Sequence, residues 1–292
     1  MHDFDLLVAR STTELEQMLA ETQGRVLAGG TDLVLFMEMG RLQPTIVIDI
    51  SRITELRYIR GDATRFRIGP LTTHSELARS PLLREWAPIL PMAAATIGAV
   101  QIRNRGTIGG NLATASPAGD TIPALMALGA SVALRSRRGE RGVALERFFI
   151  GPGKTVMASD EYIAAVHFAT PPFGARGVYY KAGRRKAQAI ALVSVGVQIA
   201  TVGEQVVSAS VCLGAVAPTV MHAAAAEDAL RGQRLTPALC RQAGQIAAGE
   251  ARPISDIRSS AAYRTTLVRT WVRRALEACL PTADNAESAE EE

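Results

Sequence analysis

Two glycine pairs sit where a backbone could meet an anion. "AGGTDL" (28–33) follows the apolar run "RVL" and leads into "LVLFMEM", so it reads as a turn between a strand and a helix. Its N–H groups can converge on a phosphate, helped by the positive end of the following helix. Glycine permits positive φ and lets a ligand come close to the main chain. "TIGGN" (107–111) offers the same chemistry, with the Thr107 hydroxyl and the Asn111 amide as further partners. Two such loops suit a ligand with two phosphates, although either pair alone could be a plain turn.

Other chemistries find little support. "GPGKT" (151–155) imitates a phosphate loop, but the glycine such a loop needs five residues earlier is Phe148. No GxGxxG follows an expected strand, and neither HExxH nor GxSxG occurs. The four histidines, 2, 74, 167 and 222, are scattered. His167 reads as structural, and His74, at a helix start, could approach a ligand. Cys212, Cys240 and Cys279 form no CxxC pair, which excludes a cysteine-ligated iron–sulfur cluster or structural zinc site within this chain.

The chain has 292 residues, 48% hydrophobic and 21% charged, a composition that suits two or three domains. No apolar run approaches the ~18 residues of a membrane span. "MHDFDLLVAR" has no basic segment followed by a long apolar core, so a cytoplasmic location is the expectation. The net charge is +4. The tail 282–292 holds five acids and no base, leaving +9 on the rest. Basic residues are not clustered with aromatics, which argues against nucleic-acid binding. Only three of the 32 basic residues are lysines: Lys154, Lys181 and Lys186.

These residues need elements to position them. The first fifty alternate as strand, helix, strand, helix, strand, which predicts a small parallel sheet with right-handed crossovers. Capping boxes are expected at Ser11/Glu14 and Thr73/Glu76. "APILPMAAATIGAV" reads as one helix, 106–120 as a long polar loop and "TIPALMALGA" as a helix. "SVALRSRRGERGVALERFF" reads as a hairpin, and "EYIAAVHFA" as a strand. "TPPFGA" (170–175) marks the best domain boundary. Three antiparallel strands and three helices follow, the last two helices starting at Thr236/Pro237 and about Ser260. Tyr263, Leu267, Trp271 and Ala275 form a stripe expected to pack on the sheet. The fold class is α+β: a first domain over 1–172, made of a small parallel α/β unit (1–57) and a mixed α/β unit (58–172). An antiparallel sheet with a helical bundle occupies 173–281, and a disordered acidic tail 282–292.

"AGGTDL" together with "NRGTIGGNLATASPAGDTIPALMALGA" resembles the FAD-binding medium subunits of the molybdenum hydroxylases, the xanthine dehydrogenase and carbon monoxide dehydrogenase type. The likeness continues through "FFIGPGKT", "YYKAGRRKAQAIALVSVGV", "LGAVAPT" and "RPISDIRSSAAYRTTL", nearly the whole chain. The resemblance implies an FAD site at the junction of the domains. Val26, Leu27, Ala28, Gly29, Gly30, Thr31, Asp32 and Leu33 would wrap the pyrophosphate, with Leu33 near the flavin ring. Thr107, Ile108, Gly109, Gly110 and Asn111 would supply the second loop, and Asp120 would bind sugar or phosphate-linked groups. Ile163 and Lys181 match FAD-contacting positions, Lys181 facing the isoalloxazine carbonyls. Two departures stand out: Ile97 replaces a residue that is often aromatic, and Gln188 stands near a common aspartate.

The resemblance further implies electron transfer with no catalytic acid or base on this chain. Partners would be a [2Fe–2S] small subunit and a molybdopterin large subunit, as a dimer of heterotrimers, together with an external electron acceptor. Two rival readings remain: a self-contained flavin oxidase of the vanillyl-alcohol-oxidase type, and a flavin-free interaction protein.

Overall fold

A computed structural model describes residues 2–185 and 187–280, so Lys186, Pro281 and the acidic tail lie outside the described residues. Strands Asp5–Val8, Arg25–Leu27 and Ile46–Asp49 form a parallel sheet with Ile46–Asp49 in the middle. Helices Thr12–Thr22 and Leu33–Glu38 are the crossovers. Leu15 and Leu19, four apart on the first helix, are buried against Ile48, Ile50 and Ile53. At its start the Ser11 hydroxyl accepts from the Glu14 N–H at 3.1 Å. The Glu14 carboxylate accepts from the Arg10 N–H at 2.8 Å instead of from Ser11, so this capping box is offset by one residue. The box at Thr73/Glu76 is complete.

The second unit is an antiparallel sheet in the order Ile59–Gly61, Arg65–Ile68, Tyr162–Ala169, Ser131–Ser136, Gly139–Ala144. Ala133, Tyr162 and Ala165 of this sheet share a core with the N-terminal helix, joining the two units. Helices fill the chain between residues 74 and 127, and two sequence expectations fail there. The single helix expected from Ala87 to Val100 is two, Ile89–Ala95 and Val100–Arg105, broken where Gly98 takes φ +45. The expected loop 106–120 contains a helix, Ile108–Thr114. Two glycines cost that helix about 1 kcal/mol each in propensity. Burial of Ile108 and Leu112, with a Thr107 cap on the Gly110 N–H, outweighs the cost.

Strands Arg176–Ala182, Val193–Val202, Gln205–Gly214 and Met221–His222 make an antiparallel meander. Helices Ala224–Leu230, Pro237–Glu250 and Ala261–Glu277 cover one face and enclose a separate core. The stripe on the last helix is rotated from expectation: Arg264, Val268, Val272 and Leu276 are buried with Ala275, whereas Tyr263 is exposed. Trp271 still reaches the sheet, its ring 5.2 Å from that of Tyr180. Arg264 sets the rotation, because its guanidinium donates to the Leu192 and Ala215 carbonyls at 3.2 and 3.1 Å.

A charged contact at the far end of this sheet ties it to the preceding unit. His222 faces Glu227 at 2.7 Å and Glu146, on the helix Leu145–Phe148, at 3.2 Å. Contacts with the Cys212 sulfur and Glu227 push the imidazole up to about 11. A folded-state value above the unfolded 6.5 means the tie is complete at neutral pH and is lost only as pH climbs towards that value. His222→Gln should cost about 1–3 kcal/mol by leaving the buried Glu227 with only the more distant Arg231 guanidinium, at 3.5 Å, as cation. The denaturant midpoint is the measurement, and an unmoved midpoint would refute the tie.

Candidate functional site

The first glycine loop is shaped as a cradle. Gly30 has φ +77, the left-handed region that favours glycine. The Leu27 carbonyl accepts from Ile50 at 3.0 Å and the Gly30 carbonyl from Val34 at 3.2 Å, fixing the loop between sheet and helix. The N–H groups of residues 28–33, by contrast, have no acceptor among the described residues. A row of unsatisfied donors at a strand-to-helix turn is what an anion requires. Leu27 to Thr31 line a cleft of about 410 Å³ whose other walls include Asp49, Ser51, Gln101 and Arg105. Val26 packs on the N-terminal core, and Asp32 accepts from the Thr114 hydroxyl at 2.9 Å. Leu33 opens the following helix.

The backbone just before the second glycine pair, at Arg105 and Gly106, lies against the first. A Cβ on Gly29 would overlap the Arg105 carbonyl oxygen and approach Gly106 Cα within 3.1 Å. The reading of "TIGGN" as a second row of N–H donors is corrected here. Ile108 donates to the Thr72 carbonyl at 3.0 Å and Gly109 to that of Pro70 at 2.9 Å. Gly110 donates to Thr107 Oγ1 at 3.1 Å and Asn111 to the Thr107 carbonyl at 2.9 Å. Neither Gly109 nor Gly110 has positive φ. Gly109 is small because Pro70 is there: a Cβ would come within 2.5 Å of Pro70 Cβ. Gly110 is less crowded, a Cβ there meeting only Thr107 Oγ1, though closely, at 3.0 Å. Asn111 spends its carbonyl on the Thr121 hydroxyl at 2.7 Å, which orients its NH₂ group.

Asp120 and Lys181 meet each other. Lys181 Nζ lies 2.6 Å from Asp120 Oδ2 and 3.1 Å from the Thr96 carbonyl, and Tyr179 donates to Asp120 Oδ1 at 3.1 Å. The two charged side chains are 8% and 9% exposed. Burial raises the Asp120 carboxyl above the ordinary value, while Lys181 and Tyr179 pull it back. Burial also holds the Tyr179 hydroxyl protonated, well above its usual range. Lys181 is thus half of a buried ion pair across the domain junction and not an unshared cation. Ile163 is 5% exposed within the hydrophobic core, apart from the residues that line this cleft.

His74 does not reach a ligand either. It is 3% exposed, its backbone N–H holds the Gly106 carbonyl at 3.0 Å, and its ring packs under Gly106. Burial and Arg103 lower it to about 4, so it is neutral at pH 7. His167, as expected, is a half-buried strand residue, paired across from Arg67.

Sequence reasoning missed Gln101 and Arg105, four apart on the short helix Val100–Arg105 and both on the cleft. That spacing was the available signal. A larger cavity, about 620 Å³, lies on the Asn104 side of the same helix. Its Arg57 is already paired with Glu76 at 2.8 Å, and it does not touch the glycine loops, so it is not the site.

Unpaired donors at one loop and an arginine at the rim of the cleft fit an anion such as a pyrophosphate. The fold thus sets a donor-lined cleft, of the kind that suits a phosphate group, between two α/β units. Known proteins sharpen this. A family profile described as the FAD binding domain in molybdopterin dehydrogenase matches residues 2–171, and one described as the CO dehydrogenase flavoprotein C-terminal domain matches 178–279. The nicotine 6-hydroxylase medium subunit of Paenarthrobacter nicotinovorans is 32% identical over 88% of this chain and 89% of its own length. The carbon monoxide dehydrogenase medium chain of Hydrogenophaga pseudoflava is 32% identical over 94% of this chain and 96% of its own. A solved carbon monoxide dehydrogenase from that organism, lacking the Mo-pyranopterin moiety, superposes with TM-score 0.91 at 32% identity, covering 95% of this chain and 97% of that one. The chain belongs to the FAD-binding medium subunits of the molybdenum hydroxylase family, and is an FAD-dependent oxidoreductase subunit.

Proposed function

We propose that this chain relays electrons from the iron–sulfur clusters of a small partner subunit to an external acceptor, the electrons having left substrate at a molybdopterin-binding large subunit. The observation that carries this reading is the row of unpaired N–H groups at residues 28–33, set in a chain with no cluster-ligating cysteine spacing of its own. Those N–H groups would hold the pyrophosphate, with Thr107, Gly110 and Asn111 opposite. Leu33, Asp120 and Lys181 lie towards the flavin end, and Ile163 shapes the strand behind. When bound, FAD supplies exchange between one-electron and two-electron chemistry. The protein binds and orients, and brings no acid or base to the reaction. We place the FAD-binding domain at 1–172 and the assembly as a dimer of heterotrimers. Three free, buried cysteines suit a reducing, cytoplasmic compartment, and no helix among the described residues is long and apolar enough to cross a membrane.

Arg105 gives a direct check. Its guanidinium can reach the cleft as a charged donor, a contact worth about 1.5–3 kcal/mol. Arg105→Ala should weaken FAD binding roughly 10–100-fold in a flavin titration. Unchanged affinity would remove Arg105 from the site.

The relay reading is tested with the isolated chain. Purified alone, it should be yellow with non-covalent FAD and should turn over no purine, N-heterocycle or aldehyde with an artificial acceptor. Turnover should appear when the iron–sulfur and molybdopterin subunits are added. Steady turnover without partners would restore the self-contained oxidase.

A further inference from the structure

Away from the FAD cleft, three metal-ligating side chains meet at the edge of the C-terminal sheet. Cys212 on Gln205–Gly214 and His222 on Met221–His222 are paired directly across antiparallel strands, so their side chains share a face. Glu227 reaches the same point from the first turn of the helix Ala224–Leu230. The Cys212 sulfur, a His222 ring nitrogen and a Glu227 oxygen all lie within 4.8 Å of one another, the one such trio among the described residues. Cys212 Sγ is 3.6 Å from His222 Nδ1, and Glu227 Oε1 is 2.7 Å from the same nitrogen. A fourth side chain, Glu146 of the preceding unit, stands 3.2 Å from His222 Nε2. The lack of a CxxC pair argued against a zinc site in this chain. Strand pairing, however, gathers these ligands at spacings of ten and five residues, which that pattern does not cover.

An ion pair between His222 and Glu227 accounts for two of these groups but not for the sulfur. A buried cysteine is ordinarily a small hydrophobe. Cys212, 0% exposed, instead has an imidazole, a carboxylate and the Ser210 hydroxyl, 3.7 Å away, around its sulfur. Those neighbours suit a thiolate bound to a cation. Sulfur, nitrogen and oxygen donors are the set that zinc takes in tetrahedral sites, at about 2.0–2.3 Å. Magnesium and calcium call for oxygen ligands. Neighbouring ligands around a tetrahedral zinc ion are about 3.2–3.7 Å apart. The Sγ–Nδ1 separation already fits, and Nδ1–Oε1 has to open by about 0.5 Å once the shared proton leaves.

The surroundings orient the ligands. The Val211 N–H donates to Glu227 Oε1 at 2.8 Å, and Arg231 lies 3.5 Å from Oε2. Sγ is nearly as far from Nε2, at 3.7 Å, as from Nδ1, so the ring has to turn its Nδ1 edge towards the ion. Glu146, its side chain 59% exposed, can follow and keep the Nε2 proton, the carboxylate–histidine pairing usual behind a zinc ligand. The His222 side chain, 23% exposed, gives the ion its way in and leaves the fourth position to water. We propose that Cys212 Sγ, His222 Nδ1 and Glu227 Oε1 bind one zinc ion, with Glu146 orienting the imidazole, and that the ion clips the C-terminal sheet to the preceding unit. Binding releases the thiol proton and the imidazolium proton to water, and no electron moves. None of the four residues lines the FAD cleft, so the zinc site stands independently of the relay reading.

The experiment uses the full, untagged chain, stripped of metal by a chelator. Zn²⁺ is titrated against a coloured zinc indicator, and Co²⁺ binding is followed by difference absorption. The unaltered chain should take up one Zn²⁺ per polypeptide, and Co²⁺ should give a sulfur-to-cobalt charge-transfer band. Cys212→Ser should lose both, while Cys240→Ser and Cys279→Ser keep them. Glu146→Gln, altered at an exposed side chain, should bind Zn²⁺ about 10–100-fold more weakly, the usual effect of losing the group behind a histidine ligand. The thermal unfolding midpoint should rise with Zn²⁺ in the unaltered chain and not in Cys212→Ser. Far-ultraviolet circular dichroism shows whether each variant is folded; where Cys212→Ser is not, Glu146→Gln and the cobalt band of the unaltered chain decide. No Zn²⁺ uptake by the unaltered chain, or no sulfur-to-cobalt band, would overturn the site. Uptake that survives in folded Cys212→Ser would overturn it too, because the ion would then be held elsewhere.

Discussion

Gly29→Ala should yield a chain that retains little FAD. The added methyl would overlap the Arg105 carbonyl oxygen, and both overlapping partners are main chain, so no rotamer change relieves the contact. Relief requires the cradle 28–33 and the segment 105–106 to move apart. Overpacking of this kind costs typically 1–3 kcal/mol where it is absorbed. Here it acts on the seam where the two glycine loops meet, so the row of N–H donors loses its alignment with Arg105. FAD affinity should fall by about 100-fold, taking the upper part of that range. The neighbouring glycines make the result specific. Gly110→Ala meets only Thr107 Oγ1 at 3.0 Å and should bind FAD with a modest loss. Gly109→Ala drives into Pro70 and should be read as a stability defect first, with flavin loss secondary. Flavin absorbance per polypeptide, measured beside the unfolding midpoint, separates the three. Stoichiometric FAD in Gly29→Ala would show that loop closure is not needed for binding.

The same seam shows what the sequence could and could not reveal. Gly30 was legible because a strand, two glycines and a helix start lie in one short stretch, and such a turn needs positive φ. The Thr73/Glu76 box was legible because its two members are local. The helix Ile108–Thr114 was hidden because propensity counts its glycines as breakers, whereas the burial of Ile108 and Leu112 that rescues it comes from residues far along the chain. The true reason for Gly29, a carbonyl at position 105, has no signature in either local stretch. Arg264 misled in a different way. An arginine looks like the solvent side of a helix, and the stripe was therefore drawn one residue away from the face that its two carbonyl partners fix. Local chemistry reads well from sequence; contacts between distant segments do not.

Lys181 and Asp120 are 61 residues apart in the chain, and their pairing sets the second large effect. Lys181→Met would leave a 9%-exposed carboxylate without its cation, keeping only the Tyr179 hydroxyl as donor. Breaking a buried pair by removing one partner costs about 3–5 kcal/mol. Asp120→Asn with Lys181→Met should be milder than Lys181→Met alone, because an amide carries no charge and its oxygen still accepts from Tyr179. The pH dependence follows from the direction of the Asp120 shift. Its folded pKa is raised above the ordinary 3.8, and losing Lys181 raises it further. Between the unfolded and folded values the native state binds more protons, so stability falls as pH rises through that window. The Lys181→Met deficit should therefore be largest at neutral pH and shrink on acidification towards the raised Asp120 value, whereas the double variant should show no such recovery. Denaturant melts of the three proteins across that pH range decide the matter. A Lys181→Met deficit that is independent of pH, or a double variant as unstable as the single one, would mean that the cost comes from lost packing and not from a stranded carboxylate.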